Sequence, residues 1–299
     1  MKNKRGKLVS LLLVIATTVY MSYLGEAGYS FGLEEDSTQV FNENSSDLII
    51  RYIDVGQADA TLIQNEGEYM LIDCGNNEDG KLLVKYFNDM GISSLKYLVG
   101  THPHEDHIGG MDDIIRNFDI GTIYMPDVIT TTKTFNDVLD AITYRRLSYK
   151  VPLINEEFNL GNAKIRVIYT GTDSSDLNDA SIILKITYGN NSFLFAGDAT
   201  KKEEKLILNK NISADVLKVS HHGSNYSNSN EFLDKVNPKY GIISVGTGNS
   251  YGHPHDEVIN SLERRNVSIY RTNQDGTIIL TSDGNNITID SIKTNTNGG

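Results

Sequence analysis

The segment His102-Pro103-His104-Glu105-Asp106-His107 constrains this chain more than any other. It sets three imidazoles and the Asp106 carboxylate within one short turn. An apolar core cannot take such a cluster, because adjacent polar groups with unmet hydrogen-bonding capacity are costly to bury. A divalent metal can. Borderline-soft ions such as zinc accept neutral imidazole nitrogens and aspartate oxygens. The pattern H-x-H-x-D-H can give His102 and His104 to one ion, and Asp106 and His107 to a second. Residues 95–100 before it read as a buried strand. Residues 109–118 after it read as a helix with Ile114, Ile115 and Phe118 on one face. The cluster is therefore expected on a loop at a strand's C-terminal edge, where α/β proteins keep their sites.

The rest of the chain alternates strand-like and helical patterns, without an internal repeat. Strands are predicted at 48–54, 69–73, 164–169, 181–188, 192–196, 216–219, 240–245, 268–271, 277–281 and 287–292. Helices are predicted at 81–90, 110–117, 135–148, 201–210, 231–236 and 257–265. A chain of 299 residues with this α/β alternation suits one large domain of two packed sheets with helices outside.

The first residues are a targeting segment. Lys2, Lys4, Arg5 and Lys7 precede an apolar run from Leu8 to Leu24, and Gly25-Glu26-Ala27 offers small residues for signal peptidase. Residues 1–27 are thus read as a signal peptide. The run, of about 17 residues, is at the lower edge of what spans a bilayer, so an uncleaved anchor is the alternative. No Cys lies near the cleavage region, which excludes a lipoprotein. Residues 28–47 read as a disordered polar spacer, 48–293 as the folded domain and 294–299 as a disordered tail. The protein is expected to be secreted or held at the cell surface, and monomeric. Cys74 is the only cysteine, so no internal disulfide can form; a small buried residue is its expected role. The net charge is −12, and residues without 1–27 are three charges more negative. A protein gripping long nucleic acid usually has a basic footprint. Only Arg145-Arg146 with Lys150 and Arg264-Arg265 offer one, and solvated helix faces explain both.

Further candidates stand at other strand ends. Asp198 closes the apolar run 193–197, and the pattern fits both a metal ligand and an N-cap for the helix at 201–210. His221 and His222 follow the strand at 216–219. Adjacent residues there point in different directions, so the two imidazoles should have different roles. His253 and His255 flank Pro254. No G-x-S-x-G elbow or Walker A loop is present.

The His102–His107 motif resembles the signature of the metallo-β-lactamase fold superfamily. Asp54-Val-Gly-Gln-Ala-Asp59, Ile72-Asp73, Asn178-Asp-Ala-Ser181, Gly197-Asp198, Leu217-Lys-Val-Ser-His-His-Gly-Ser224, Tyr251-Gly-His-Pro254 and Tyr270–Thr277 follow in the order of one branch. That branch holds the hydrolase domain of ComEC-type DNA-uptake proteins and the teichoic-acid phosphorylcholine esterases. The resemblance runs from about Ile49 to Ile289 and implies a four-layer αββα sandwich with two divalent ions, zinc or manganese. It assigns His102, His104, His222 and Asp198 to the first ion, and Asp106, His107, His253 and Asp198 to the second, with Asp198 bridging. His221 then faces the substrate as a catalytic group. His255 falls outside the ligand set, and Asn249 and Tyr251 shape the pocket mouth. Asp54, Asp59 and Asp73 would hydrogen-bond the ligand loops. This chain departs from the family at Ala58, where Gly is usual, and in having no His between His107 and His221. Asp179 could approach the metals in that place. The implied activity is metal-dependent phosphodiester hydrolysis, with nucleic acid the first substrate. The alternatives are a cell-envelope polymer of the phosphorylcholine type, lactamase or lactonase activity, and a non-catalytic surface module.

Overall fold

Several strands are apolar on both faces, and the computed structural model shows what covers each one. It describes residues 46–172 and 175–293. The expected signal or anchor segment, nearly all of the spacer and the tail at 294–299 lie outside the described residues. One sheet has eight strands: β1 (Leu48–Tyr52), β2 (Ala60–Asn65), β3 (Glu68–Cys74), β4 (Ser94–Val99), β5 (Asp119–Tyr124), β6 (Tyr149–Lys150), β14 (Thr277–Ser282) and β15 (Ile287–Ile292). Their order is β15-β14-β1-β2-β3-β4-β5-β6. The other has seven: β7 (Glu157–Leu160), β8 (Ala163–Tyr169), β9 (Ile183–Tyr188), β10 (Asn191–Phe195), β11 (Val216–Lys218), β12 (Tyr240–Ile243) and β13 (Ser268–Arg271), in the order β13-β12-β11-β10-β9-β8-β7.

Side chains alternate across each strand, so every sheet feeds two apolar layers. Phe193 and Phe195 of β10 point between the sheets, among Tyr52, Ile72, Val99 and Ile165, and the Tyr52 and Phe195 rings stack at 6.1 Å. Leu194 points the other way, to α5 (Lys201–Ile207), α6 (Asn230–Val236) and α7 (Asp256–Glu263), through Ile207, Phe232, Leu233 and Leu262. Leu71 and Leu98 of the first sheet likewise meet α1 (Asp79–Asp89), α3 (Met111–Asn117) and α4 (Lys133–Tyr144), through Leu83, Phe87, Ile114 and Val138. The layers run α, β, β, α, as expected. Among the described residues no helix is long and apolar enough to cross a membrane.

Strands β3 to β6 run parallel, and so do β10 to β13. The C-terminal ends of β3, β4, β10 and β11 deliver Asp73, the His102 segment, Asp198 and His221-His222. Four strands escaped the sequence pattern: β2, β5, β6 and β7. In β2 the polar pair Gln64-Asn65 hides a fully buried strand. Gln64 takes a hydrogen bond from the buried Arg51 at 3.1 Å, and Asn65 Oδ1 takes one from Asn162 N at 2.7 Å. The expected metal-binding loop also winds into a short helix, α2 (Glu105–Ile108), which buries His107 and Ile108.

Close packing holds that turn in place. A Cβ on Gly109 would come within 2.2 Å of the Asn76 carbonyl carbon and 2.3 Å of Asn77 N. We expect Gly109→Ala to destabilise the protein by about 2 kcal/mol or more, the range of overpacked cores. Urea unfolding checks this, and a loss below about 0.5 kcal/mol would mean the helix is free to move.

Candidate metal centre

Asp73 organises the site. It stands one residue before the end of β3 with φ 61, a left-handed conformation that costs a non-glycine residue energy. Its carboxylate accepts the Thr101 amide at 2.8 Å, and the Thr101 hydroxyl lies 2.8 and 3.0 Å from its two oxygens. His107 Nδ1 lies 2.8 Å from Asp73 Oδ2 and donates to it, which turns Nε2 toward Asp198 Oδ1 at 3.3 Å. His222 is fixed in the same way. Its Nδ1 lies 3.0 Å from the Ser244 carbonyl and 3.4 Å from Asp59 Oδ1, and its Nε2 reaches Asp106 Oδ2 at 3.2 Å. Behind Asp59 stands the buried Lys218, whose ammonium donates to Asp59 Oδ2 at 2.8 Å.

Asp106, His107, Asp198 and His222 each offer a ligand atom within 4.8 Å of the others. His107, Asp198 and His222 are buried, and His107 Nε2 and Asp198 Oδ1 lack a well-formed hydrogen bond. The two atoms face each other at 3.3 Å without closing a hydrogen bond, and buried polar atoms left so are rare; a bound ion between such groups is one way to satisfy them. Two imidazoles and two carboxylates are a donor set that suits a divalent ion, so the residues fit the group the fold implies. The electrostatics agree. Burial disfavours charge on His107, yet the carboxylates of Asp198, Asp73 and Asp106 hold its imidazolium form well above the ordinary histidine range. His222 is also raised, with burial opposed by Asp198, Asp59 and Asp106. Asp198 is buried too, but His107, His222 and His221 keep it well below the carboxylate range. Without a metal, protons on imidazoles balance the negative charge.

His222 stands in the group with Asp106, His107 and Asp198, and His102 adjoins that group, its ring 4.1 Å from that of His107. Backbone geometry sets the place of His222. His221 and His222 both take left-handed φ/ψ, 52°/48° and 52°/24°, in the turn Ser220–Gly223. This drives the His222 ring inward and leaves the His221 ring toward solvent, with Nε2 3.7 Å from Asp198 Oδ2. The two imidazoles do point different ways, as expected. His253 stands across the cleft, its ring stacked on Tyr251 at 5.6 Å and 6.2 Å from that of His222. Burial and the neighbouring His222 and His221 push it down to about 4, so it is neutral at neutral pH. His102 and His104 form their own pair, with Nε2 of the first 3.0 Å from Nδ1 of the second.

Other candidates fall into place around the group. Asp198 is not the N-cap of α5; Thr200 is, its hydroxyl accepting from Lys202 N at 3.3 Å. That frees the Asp198 carboxylate for the cluster. Asp73 hydrogen-bonds His107 and Asp59 Oδ1 lies 3.4 Å from His222 Nδ1, whereas Asp54 accepts from Gly56 N at 3.2 Å and its amide donates to Thr277 Oγ1 at 3.0 Å. Asp179 is held by Thr200 at 2.9 Å and Lys202 at 2.8 Å, and forms part of the cleft wall instead of the ligand group. His255 Nδ1 accepts from Asn225 N at 3.1 Å, which makes it a loop support. Asn249 does shape the mouth, bonding Gly246 O, His253 O and His253 N. A cleft of about 910 Å³ is lined by His221, His253, Tyr226 and Tyr251 among others, and adjoins the cluster through His221. Sequence reasoning missed Thr101, Lys218 and Tyr226. Thr101 directly precedes the His102–His107 segment and Lys218 lies inside the quoted 217–224 motif, and nearness to the histidines was the available signal.

Comparison with known proteins agrees with this geometry. The family model described as Metallo-beta-lactamase superfamily matches residues 53–247. The chain is 29% identical over 255 residues to ComE operon protein 3 of Bacillus subtilis (strain 168), covering 78% of this chain and 33% of that protein. It is 27% identical over 229 residues to Competence protein ComA of Neisseria gonorrhoeae, covering 75% of this chain and 31% of that protein. It therefore spans about a third of the length of these curated relatives. Among solved structures, the metallo-beta-lactamase fold protein YhfI from Bacillus subtilis superposes with a TM-score of 0.53 at 14% identity, covering 79% of this chain and 100% of that one. That likeness bears out the fold, and the curated relatives bear out the ComEC-type branch.

The raised imidazoles set a pH dependence. A group with a raised folded pKa stabilises fully below its unfolded value and loses that contribution as pH rises through the folded one. We expect metal-free protein to lose thermal stability as the pH is raised from about 6.5 through the folded pKa values of His107 and His222. Metal-loaded protein should not, because ligands bind a metal when deprotonated. Melting temperatures with and without excess chelator check both. A metal-free curve that rises with pH would contradict the charge balance.

Proposed function

Because the chain belongs to the metallo-beta-lactamase superfamily, we propose that it is an exported, metal-dependent phosphodiesterase that cleaves nucleic acid. One observation carries this most: the buried Asp106–His107–Asp198–His222 group, with His221 between it and an open cleft. In this reading Asp106, His107, His222 and Asp198 hold one divalent ion. His102 and His104 hold a second, with Asp198 shared, and the metal is zinc or manganese. When bound, two ions make water acidic enough to serve as nucleophile near neutral pH and neutralise charge building on a phosphoryl group. The chain's own residues do the rest. Asp73 and Thr101 orient His107, while Asp59 and Ser244 orient His222. His221, mostly buried with its ring lining the cleft, is placed to pass a proton to the leaving oxygen. No protein nucleophile is needed, and burial pushes the Cys74 thiol well up, leaving it inert.

Nucleic acid as substrate is supported by the competence proteins among the relatives, and export by the basic and apolar start of the chain. One observation favours a cell-envelope phosphodiester instead. The net charge is −12, and Asp176, Asp179 and Glu257 line the cleft, which disfavours a dense polyanion.

Metal-stripped and metal-restored enzyme should be assayed on bis-p-nitrophenyl phosphate, single- and double-stranded DNA and a choline phosphodiester. We expect hydrolysis of DNA that is lost on stripping and restored by zinc or manganese. Cleavage of the choline ester with none of DNA would favour the envelope substrate. The adjacent histidines provide a second test. His222→Ala should lose bound metal together with activity. His221→Ala should keep its metal and lose about 10²- to 10⁴-fold in turnover, the usual share of a positioned acid–base group. Metal missing from His221→Ala but kept by His222→Ala would reverse the two roles.

A further inference from the structure

Two tyrosines line the cleft that adjoins the candidate metal group and remain in solvent. Tyr226 is 73% exposed and Tyr251 is 67% exposed, and both line the cleft that His221 and His253 face. Each sits on a loop whose backbone is fixed. The Tyr226 carbonyl accepts from Lys201 N at 3.0 Å, and the next residue anchors through Ser227 Oγ to the Ala199 carbonyl at 2.8 Å. The Tyr251 loop is closed by Asn249, which bonds His253 O at 2.7 Å and His253 N at 3.0 Å. The Tyr251 ring also lies 21° from parallel to His253, which steadies its orientation. Large apolar ring faces held in water on constrained loops, beside a catalytic group, serve recognition better than stability.

The cleft's charge narrows what those rings recognise. Its lining carries Lys201 against Asp176 and Glu257, with Asp179 paired to Lys202 at 2.8 Å. Away from the metal-binding group, backbone phosphates therefore find little net attraction, least of all in a duplex, which carries one charge per about 1.7 Å. Beyond the scissile phosphate, discrimination between nucleic acids rests on the bases, and in a duplex the base faces are already stacked. An unpaired strand offers them, and stacking on aromatic side chains is tolerant of sequence.

We propose that Tyr226 and Tyr251 are stacking platforms for nucleobases on either side of the scissile phosphodiester, making this enzyme selective for single-stranded nucleic acid. The proposal rests on the nucleic-acid reading above and deepens it. The tyrosines select the substrate by its bases and leave the chemistry to the metal-binding group and His221.

The test compares metal-loaded enzyme on three DNA substrates of equal length: a single strand bearing bases, a single strand whose central nucleotides are abasic, and a duplex. Wild type should cleave the base-bearing strand with a kcat/KM at least about tenfold above the abasic strand and the duplex, since stacking is worth about a factor of ten or more per base. In Tyr226→Ala/Tyr251→Ala the ratio of base-bearing to abasic cleavage should fall toward one, mainly through KM. Tyr226→Phe/Tyr251→Phe should retain it, because the ring face is kept. Circular dichroism of each variant confirms the fold. Equal cleavage of base-bearing and abasic strands by wild type, or a ratio unchanged in the alanine variant, would overturn the stacking role while leaving the nuclease reading intact. Hydrolysis of bis-p-nitrophenyl phosphate with no cleavage of any DNA would overturn the nuclease reading itself.

Discussion

The contact between Asp73 and His107, closed off from water, is the interaction on which the rest of the structure depends. Burial alone raises the Asp73 carboxyl, and the facing His107 pulls against it. A buried ionic pair of this kind is costly unless further hydrogen bonds complete it. Here Thr101 completes it, so three separate elements, the end of β3, the end of β4 and helix α2, become one rigid unit. The same construction recurs at His222, where Asp59 is flanked by Lys218. The His107 ring thus has Nδ1 committed to Asp73 and Nε2 turned to Asp198, and the His222 ring has Nδ1 committed to Ser244 and Nε2 turned to Asp106.

This arrangement follows from topology. Parallel strands place successive chain ends on one edge of a sheet, and the two facing sheets bring two such edges together. Asp198 and His222 come from one sheet, and Asp73 and the His102–His107 segment from the other. The apolar layer between the sheets, where Tyr52 stacks on Phe195, therefore sets the distance between the two halves of the ligand group. Core packing and site geometry are the same problem in this protein.

Much of this was legible in the residues themselves. The His102–His107 cluster announces itself because no apolar core tolerates it, and strand-like apolar runs alternating with helical ones marked most of the strands. The sequence left Asp198 divided between a helix cap and a ligand. Only the fold shows that Thr200 takes the cap. The approach of His222 to Asp106 was not legible either, since it depends on two consecutive left-handed histidines that no glycine or asparagine signals. Lys218 looked like an ordinary strand lysine. Its burial makes sense only once Asp59, far away in sequence, is seen beside it. Strand β2 was hidden for a similar reason, its polar end being satisfied by Arg51 and by the turn at Asn162.

The central claim is that the chain holds a two-ion centre built around Asp198. Native mass spectrometry of the folded protein, titrated with zinc or manganese at neutral pH, counts the ions directly. The expected result is two ions bound per chain in the wild type, with Asp198→Ala unable to reach that count. A wild-type protein that saturates at one ion or binds none, or an Asp198→Ala variant that still holds two, would contradict it.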